Sequence, residues 1–406
     1  MLLIVLDTTR ADRCTFTDPA SSTVPQLARL AAESVVYTEA WSPAGWTGPA
    51  HASLFTGQRP PRHRFLGSQH WLLPASAWTL AELLHEAGYR TACLANNPVI
   101  SDSLGLTQGF EHAPRIRPDT PRPYARDAHR RAFEYARDSR SLGRPSFVFV
   151  NDYEPHLPYD PPAAIAERHV TGAPDAVTLD RARLWGPDDA LRLALGGTSD
   201  VERVRPLLPQ LYDAEVETLD EVVAEHLERL RAEGMLDRTL VVIASDHGEN
   251  LGDHGLWDHR FSMHRSICHV PLLVRYPGGA GGGTVVRDVV RLEDVFATVL
   301  DVTGVDPRDE LQGVSLRHDL PGRISRGAYG PNTALLRKAR ELVPLLDETP
   351  LRTEFRTVFD GSYHLIATRD GGVQLFDVRT DPGEEHDLAQ REPAIVERLR
   401  ALLDPW

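Results

Sequence analysis

Trp46-Thr47-Gly48-Pro49-Ala50-His51 sets a hydroxyl and an imidazole four residues apart. Pro49 suits the first turn of a helix, where a missing N–H costs nothing. Residues four apart share a helix face, so Thr47 and His51 would project together. Thr47 would then stand at a helix N-terminus, where free N–H groups and the helix dipole favour an anion. Threonine is equally at home as a simple helix cap, so this block alone does not make a nucleophile. Ser245-Asp246-His247-Gly248-Glu249 supplies a second element. An adjacent carboxylate and imidazole at a chain bend can ligate one divalent ion, with Gly248 permitting close approach. Asp7 would complete that set from another strand; the plain alternatives are a surface turn and a polar strand cap. His156, in Asp152-Tyr153-Glu154-Pro155-His156-Leu157-Pro158-Tyr159, and His259, in Asp253-His254-Gly255-Leu256-Trp257-Asp258-His259, lie in loops with aromatic neighbours. Trp46, Trp71, Tyr153, Tyr159 and Trp257 are candidate pocket walls. Together these residues could attack a phosphate- or sulfate-type ester with metal assistance.

Such residues need a scaffold that delivers them to one place. Short apolar runs rich in β-branched residues predict buried strands at Leu2–Leu6, Thr91–Ala95, Phe147–Val150, Leu240–Ala244 and Val270–Val274. Helical patterns lie at Val24–Val35 and Trp78–Ala87, with a long one from Val201 to Gly234. Alternating strands and helices predict an α/β fold with a mainly parallel sheet covered on both faces. Chemistry in such sheets collects beyond the carboxyl ends of the strands. Leu2–Leu6 runs into Asp7, Phe147–Val150 into Asn151 and Asp152, and Leu240–Ala244 into Asp246 and His247. The tail differs. Arg356–Arg369 alternates around Asp360-Gly361, and Asp370-Gly371-Gly372 separates it from Val373–Val378, which predicts antiparallel hairpins. Glu392–Leu403 predicts a closing helix. Asn332–Leu346 reads as helix or loop, ended or kinked by Pro344. Two units are expected: a catalytic domain over residues 1–322 and a small α+β subdomain over 323–406.

Composition bounds the reading. The 406 residues are 41% hydrophobic and 25% charged, which is ordinary for a globular protein. The net charge of −14 disfavours nucleic acid and anionic membranes as partners. It also means that an anionic substrate needs a local positive site. Cys14, Cys93 and Cys268 form no CxxC pair. The opening apolar run lacks the basic flank and cleavage site of a signal peptide, and no segment reaches the ~20 apolar residues of a membrane span. A cytoplasmic protein is expected.

Four blocks, read in order, resemble the sulfatase branch of the alkaline phosphatase superfamily. They are Leu6-Asp7-Thr8-Thr9-Arg10-Ala11-Asp12-Arg13, Thr47 to Gly57, Glu154-Pro155-His156-Leu157-Pro158-Tyr159 and Ser245 to Glu249. The tail, with Gly361 to Ile366, Leu375-Phe376-Asp377 and Asp381-Pro382-Gly383-Glu384, resembles the small C-terminal subdomain of those enzymes. The resemblance implies an alkaline-phosphatase-like three-layer α/β/α sandwich. It implies Thr47 as nucleophile and metal contact, and Asp7, Asp246 and His247 as metal ligands. Thr8 stands where many members have a stronger ligand. It further implies that His156 touches the transferred group or leaving oxygen and that Asn97 contacts substrate.

Three positions depart from the family pattern. Thr47 replaces the Cys or Ser that becomes formylglycine, and a secondary alcohol cannot be oxidised to that aldehyde, so no formylglycine is expected. His51 replaces the usual arginine, and His259 the usual lysine. The expectation is therefore a hydrolase or phosphotransferase that cleaves a phosphate ester of a small intracellular metabolite. It would use one divalent cation (Mn, Mg, Ca or Zn), with Thr47 attacking, His156 or His259 protonating the leaving oxygen, and His51 beside the nucleophile. The alternatives are a formylglycine-independent sulfatase or phosphonate-ester hydrolase, and a non-catalytic binding member of the fold. Asp152, His156 and His259 are candidates for a second metal site. The expected partner is a small anionic ester, and a homodimer is compatible with the sequence.

Overall fold

The computed structural model describes residues 1–21, 23–66, 71–114, 124–196, 200–330, 333–343 and 350–406. Strand β1 (Leu2–Leu6) is buried at every position, as an uninterrupted apolar run in the middle of a sheet must be. It is joined by β2 (Val35–Trp41), β3 (Arg90–Ala95), β4 (Ser146–Asp152) and β5 (Val241–Ala244). A short hairpin, β6 (Asn250–Leu251) and β7 (Trp257–Asp258), precedes β8 (His269–Arg275) and β9 (Thr284–Arg291). The seven-stranded sheet runs β3-β4-β1-β5-β8-β2-β9. Neighbours pair in parallel except around β8, which is antiparallel to both β5 and β2.

Alternate residues of β1 enter opposite cores. Leu3 and Val5 pack with Leu54, Phe55, Leu83 and Phe296, from the helices Thr47–Thr56, Leu80–Glu86 and Leu292–Thr303. Leu2, Ile4 and Leu6 pack with Leu27, Ala132, Leu211 and Leu219, from the helices Pro25–Ala31, Ala125–Ser141 and Leu208–Ala232. The result is the expected α/β/α sandwich. A second, antiparallel sheet contains β10 (Ser325–Tyr329), β11 (Phe355–Phe359), β12 (Tyr363–Thr368) and β13 (Val373–Asp377) in that order. The helix Pro393–Arg400 closes it, with Leu399 on Val358, Leu365 and Leu375. The Asp360-Gly361 turn forms as read: Asp360 accepts the N–H groups of Ser362 and Tyr363, and Gly361 takes φ +92°.

The structure corrects several local readings. The stretch Val24–Val35 is helical only over Pro25–Ala31, and Val35 opens β2. Val201–Gly234 is two helices, Val201–Val204 and Leu208–Ala232, the second beginning around Pro209 in its first turn. A helix occupies Thr333–Leu342, while Asn332 and Pro344 lie outside the described residues. Strands β2, β9 and β10 were not expected. No helix among the described residues is long and apolar enough to cross a membrane.

The helix Pro25–Ala31 has no side-chain cap of its own, since Val24 holds the cap position. Asp220 of the long helix supplies one, accepting the N–H groups of Gln26 at 2.8 Å and Leu27 at 2.7 Å. Asp220→Ala is expected to lower unfolding free energy by about 1–3 kcal/mol, read from the urea midpoint, and Asp220→Asn by less because one acceptor remains.

Candidate active site

Strand register builds the site. Leu6 lies level with Asp152 and Val5 with Asn151 across β1 and β4, while Val5 pairs with Ala244 of β5. Asp7, Asn151 and Asp246 therefore emerge at one edge of the sheet. β3 ends level with Asn151, which brings Asn97 to the same place. The chain after Asp7 turns sharply, with Thr8 at φ +55°. That turn is held by Tyr212, whose hydroxyl donates to the Thr8 carbonyl at 2.8 Å and accepts from Arg10 N–H at 2.9 Å.

Asp7, Asp246 and His247 are fully buried, and one donor atom from each lies within 4.8 Å of the others. Asp7 Oδ2 accepts from Asn97 at 2.6 Å, leaving Oδ1 without a partner. Asp246 Oδ1 accepts the N–H groups of Thr8 and His247, leaving Oδ2 without one. His247 Nδ1 donates to the Gly248 carbonyl at 2.9 Å, which fixes the tautomer and bares Nε2. Two unpartnered carboxylate oxygens and a bare imidazole nitrogen fit a divalent cation of the Mn, Mg or Zn type. Burial raises the pKa of both Asp7 and Asp246, and the Asp246 carboxylate raises that of Asp7 further. Burial also pushes His247 well down, so the ring is neutral. The Thr8 hydroxyl is buried nearby without a partner.

Thr47 is the first residue of its helix, and Trp46 holds the cap position. Its hydroxyl is not spent on a cap. It lies 3.4 Å from His247 Nε2 and 3.3 Å from the Asn97 amide. The N–H groups of the helix's first turn have no intrahelical acceptor. Gly48 is required there, because a Cβ would meet the Trp46 ring at 2.7 Å and Phe65 at 2.8 Å. His51 does share the Thr47 face, but it points beneath the site. Its Nδ1 donates to the Thr47 carbonyl at 2.9 Å and lies 3.5 Å from Asp246, and its ring packs edge-on to Phe55 and Phe149. Burial lowers its pKa. This neutral ring supports Thr47 and Asp246 from below.

His156 and His259 come together above the cluster, ring centroids 5.1 Å apart, and His259 lies 4.5 Å from His247. His156 stacks on Tyr153 and donates through Nδ1 to the Leu157 carbonyl. Burial and His259 push its pKa down to about 3. His259 is the opposite case. Burial opposes its charge, but Asp258 and Glu249 outweigh burial and push the pKa up to about 10. Its Nδ1 lies 2.9 Å from Asp258 and 3.3 Å from Glu249. Arg260 secures Asp258 in turn. These three residues received no role from the sequence, though Glu249 and Asp258 lie within the very segments that flagged His247 and His259.

Two readings are overturned. Asp152 does not join His156 and His259 in a second metal site. Its carboxylate faces the other way and pairs with His129 at 2.9 Å, which in turn meets His226 at 2.7 Å. Tyr159 and Trp257 are core residues, packed edge-on against Tyr212 and Trp185. Tyr153 stays beside His156, and Trp46 packs with Trp71 at 5.2 Å.

The sandwich, its small second sheet and the acid–imidazole cluster beyond the strand ends define an alkaline-phosphatase-like hydrolase fold. The chain belongs to the sulfatase family, whose model matches residues 1–305. Arylsulfatase K of Bos taurus is 29% identical over 209 residues, 48% of this chain but only 36% of that protein. The match thus spans about a third of that relative's length. Choline-sulfatase of Rhizobium meliloti (strain 1021) is 26% identical over 94% of this chain and 80% of its own. Among solved structures, phosphonate monoester hydrolase of Agrobacterium radiobacter superposes with a TM-score of 0.75 at 21% identity, covering 97% of this chain and 92% of that one. A structure in complex with its substrate D-glucosamine-2-N,6-O-disulfate gives 0.76 at 19% identity, covering 99% and 96%. At these identities the structural likeness shows the fold.

Asp7 and Asp246 hold protons more tightly in the folded than in the unfolded chain. Without a cation, stability should therefore fall as pH rises from about 4, the unfolded value, through the raised folded values. In chelator-treated protein, scanning fluorimetry is expected to show that fall, and Asp7→Asn is expected to flatten it. Adding a divalent cation should reverse the order, making the wild type the more stable of the two. Equal pH profiles for the two proteins under chelator would exclude this account.

Proposed function

We propose that this chain is a metal-dependent phosphoric ester hydrolase, or phosphotransferase, in which Thr47 attacks the phosphorus of a small anionic ester. One observation carries the reading: a buried threonine hydroxyl that caps nothing lies within hydrogen-bonding reach of both His247 and Asn97, at the edge of an acid–imidazole cluster. A divalent cation held by Asp7, Asp246 and His247 would lower the hydroxyl's pKa and offset charge on the transferring oxygens. Asn97 orients both Asp7 and Thr47, because one amide group donates to each. The first-turn N–H groups of the Thr47 helix hold a non-bridging oxygen. His259, kept protonated by Asp258 and Glu249, gives its proton to the leaving oxygen. His156 is neutral with Nδ1 engaged, so it offers Nε2 as an acceptor and positions the substrate. Water, or an acceptor alcohol, then releases the phosphoryl group from Thr47.

Hydrolysis of a sulfate or phosphonate ester without formylglycine is the second reading. It is favoured by the choline-sulfatase match over most of the chain and by the phosphonate monoester hydrolase fold neighbours. A non-catalytic binding role is disfavoured by the gathering of Asp7, Asp246 and His247 around Thr47.

Nitrophenyl phosphate, its bis-ester, a phosphonate monoester and the sulfate, assayed side by side, separate these readings. Thr47→Ala is expected to lose at least about 10³-fold in kcat on the phosphorus esters, with the melting temperature unchanged. Thr47→Ser is expected to keep measurable phosphorus-ester activity. Turnover of the sulfate alone, or full activity in Thr47→Ala, rejects the proposal.

A further inference from the structure

The hairpin that carries Glu249 and His259 at its base carries His254 at its tip. His254 adopts φ +53°, a left-handed backbone uncommon outside glycine, though one that histidine takes more readily than most residues. It is exposed, and its ring lies flat on His264, centroids 3.7 Å and planes 16° apart. Among the described residues, neither of its ring nitrogens makes a hydrogen bond. Its stack on His264 is therefore unaccompanied by a hydrogen bond, and both ring nitrogens are left for another partner.

What lies beside it suggests that partner. Glu384, also left-handed at φ +55°, reaches in from the segment after β13. Its Oε2 accepts from His264 Nδ1 at 2.8 Å and from Arg265 N–H at 2.9 Å, and its Oε1 accepts from His364 Nδ1 at 2.6 Å. Donor atoms of His254, His264 and Glu384 all lie within 4.8 Å of one another. We propose that His254, His264 and Glu384 form a second metal site, distinct from the Asp7–Asp246–His247 cluster and suited to a borderline ion such as Zn²⁺, for which two imidazoles and a carboxylate are apt donors.

A cavity of about 330 Å³ lies beside the cluster, lined by Arg10, Asp12, Asp253, Arg265 and Gly383 and not by the three ligands themselves, so an ion would reach the site at the exposed His254. An ion must meet each imidazole edge-on, so binding turns the exposed His254 ring out of its stack and displaces the His264–Glu384 hydrogen bond. The bound ion would tie the hairpin tip to the C-terminal subdomain, and so steady the hairpin whose base holds His259.

The test is a zinc count on chelator-stripped, reloaded and desalted protein. Variants are His254→Asn, Asp246→Asn and the double. Asparagine tolerates positive φ, so His254→Asn should leave the fold intact, which circular dichroism checks. Wild type is expected to hold about one zinc more per chain than His254→Asn, and the same difference should persist between Asp246→Asn and the double variant. Zinc should also raise the melting temperature of Asp246→Asn but not that of the double. Equal zinc content with and without His254 in both backgrounds overturns the inference, whatever becomes of the Thr47 chemistry.

Discussion

Asp7 and Asp246 lie just beyond the ends of two neighbouring strands, and both are fully buried. Two like charges about 4 Å apart repel by roughly 4 kcal/mol even at an effective dielectric near 20, and burial adds to that. Much of the surrounding structure deals with this cost. Asn97 and Asn151 direct amide N–H groups at Asp7, and two backbone N–H groups serve Asp246. Each carboxylate nevertheless keeps one bare oxygen, and these face the same space as His247 Nε2. The protein part of the site is thus unfinished in charge, in the way a site that could hold a divalent cation would be.

That electrostatic demand sets the architecture. Both carboxylates must be delivered without loop slack, so they follow directly from β1 and β5 in the middle of the sheet. The strands are apolar on both faces because helices cover both faces, and the polar residues appear only where the sheet stops. A sharp turn follows at Thr8, and Gly248 runs so close to the Ser266 carbonyl that a Cβ would lie 2.0 Å from it.

This logic made the central strands legible. Leu2–Leu6 and Leu240–Ala244 are apolar runs ending in acids, and a run that cannot alternate has to be buried. β2 was not legible, because Val35-Val36-Tyr37 follows an amphipathic helix with only a short break and continues its apolar pattern. The reversal of β8 was hidden for a different reason: a buried strand has the same composition in either direction. Side-chain direction was the other blind spot. Asp152 stands beside Asp7 in sequence logic, yet a period of two turns it to the far face, where His129 takes it up. Asn97 came only through family resemblance, since an amide after a strand carries no distinctive local signal.

His259 shows how charge can be kept while the residue type changes. The resemblance puts His259 where the sulfatase pattern has lysine, and a free imidazole would be mostly neutral at pH 7. Here two carboxylates hold it charged, and one of them, Glu249, is only two residues from His247 of the acid–imidazole cluster. The same attention to neighbours decides what Thr47 is. A threonine at a helix start is ordinarily a cap, its oxygen turned back to the backbone. Trp46 takes the cap position instead and makes no side-chain cap bond, so the helix leaves its first-turn N–H groups uncovered. The Thr47 hydroxyl is thus left facing the acid–imidazole cluster instead of the helix backbone.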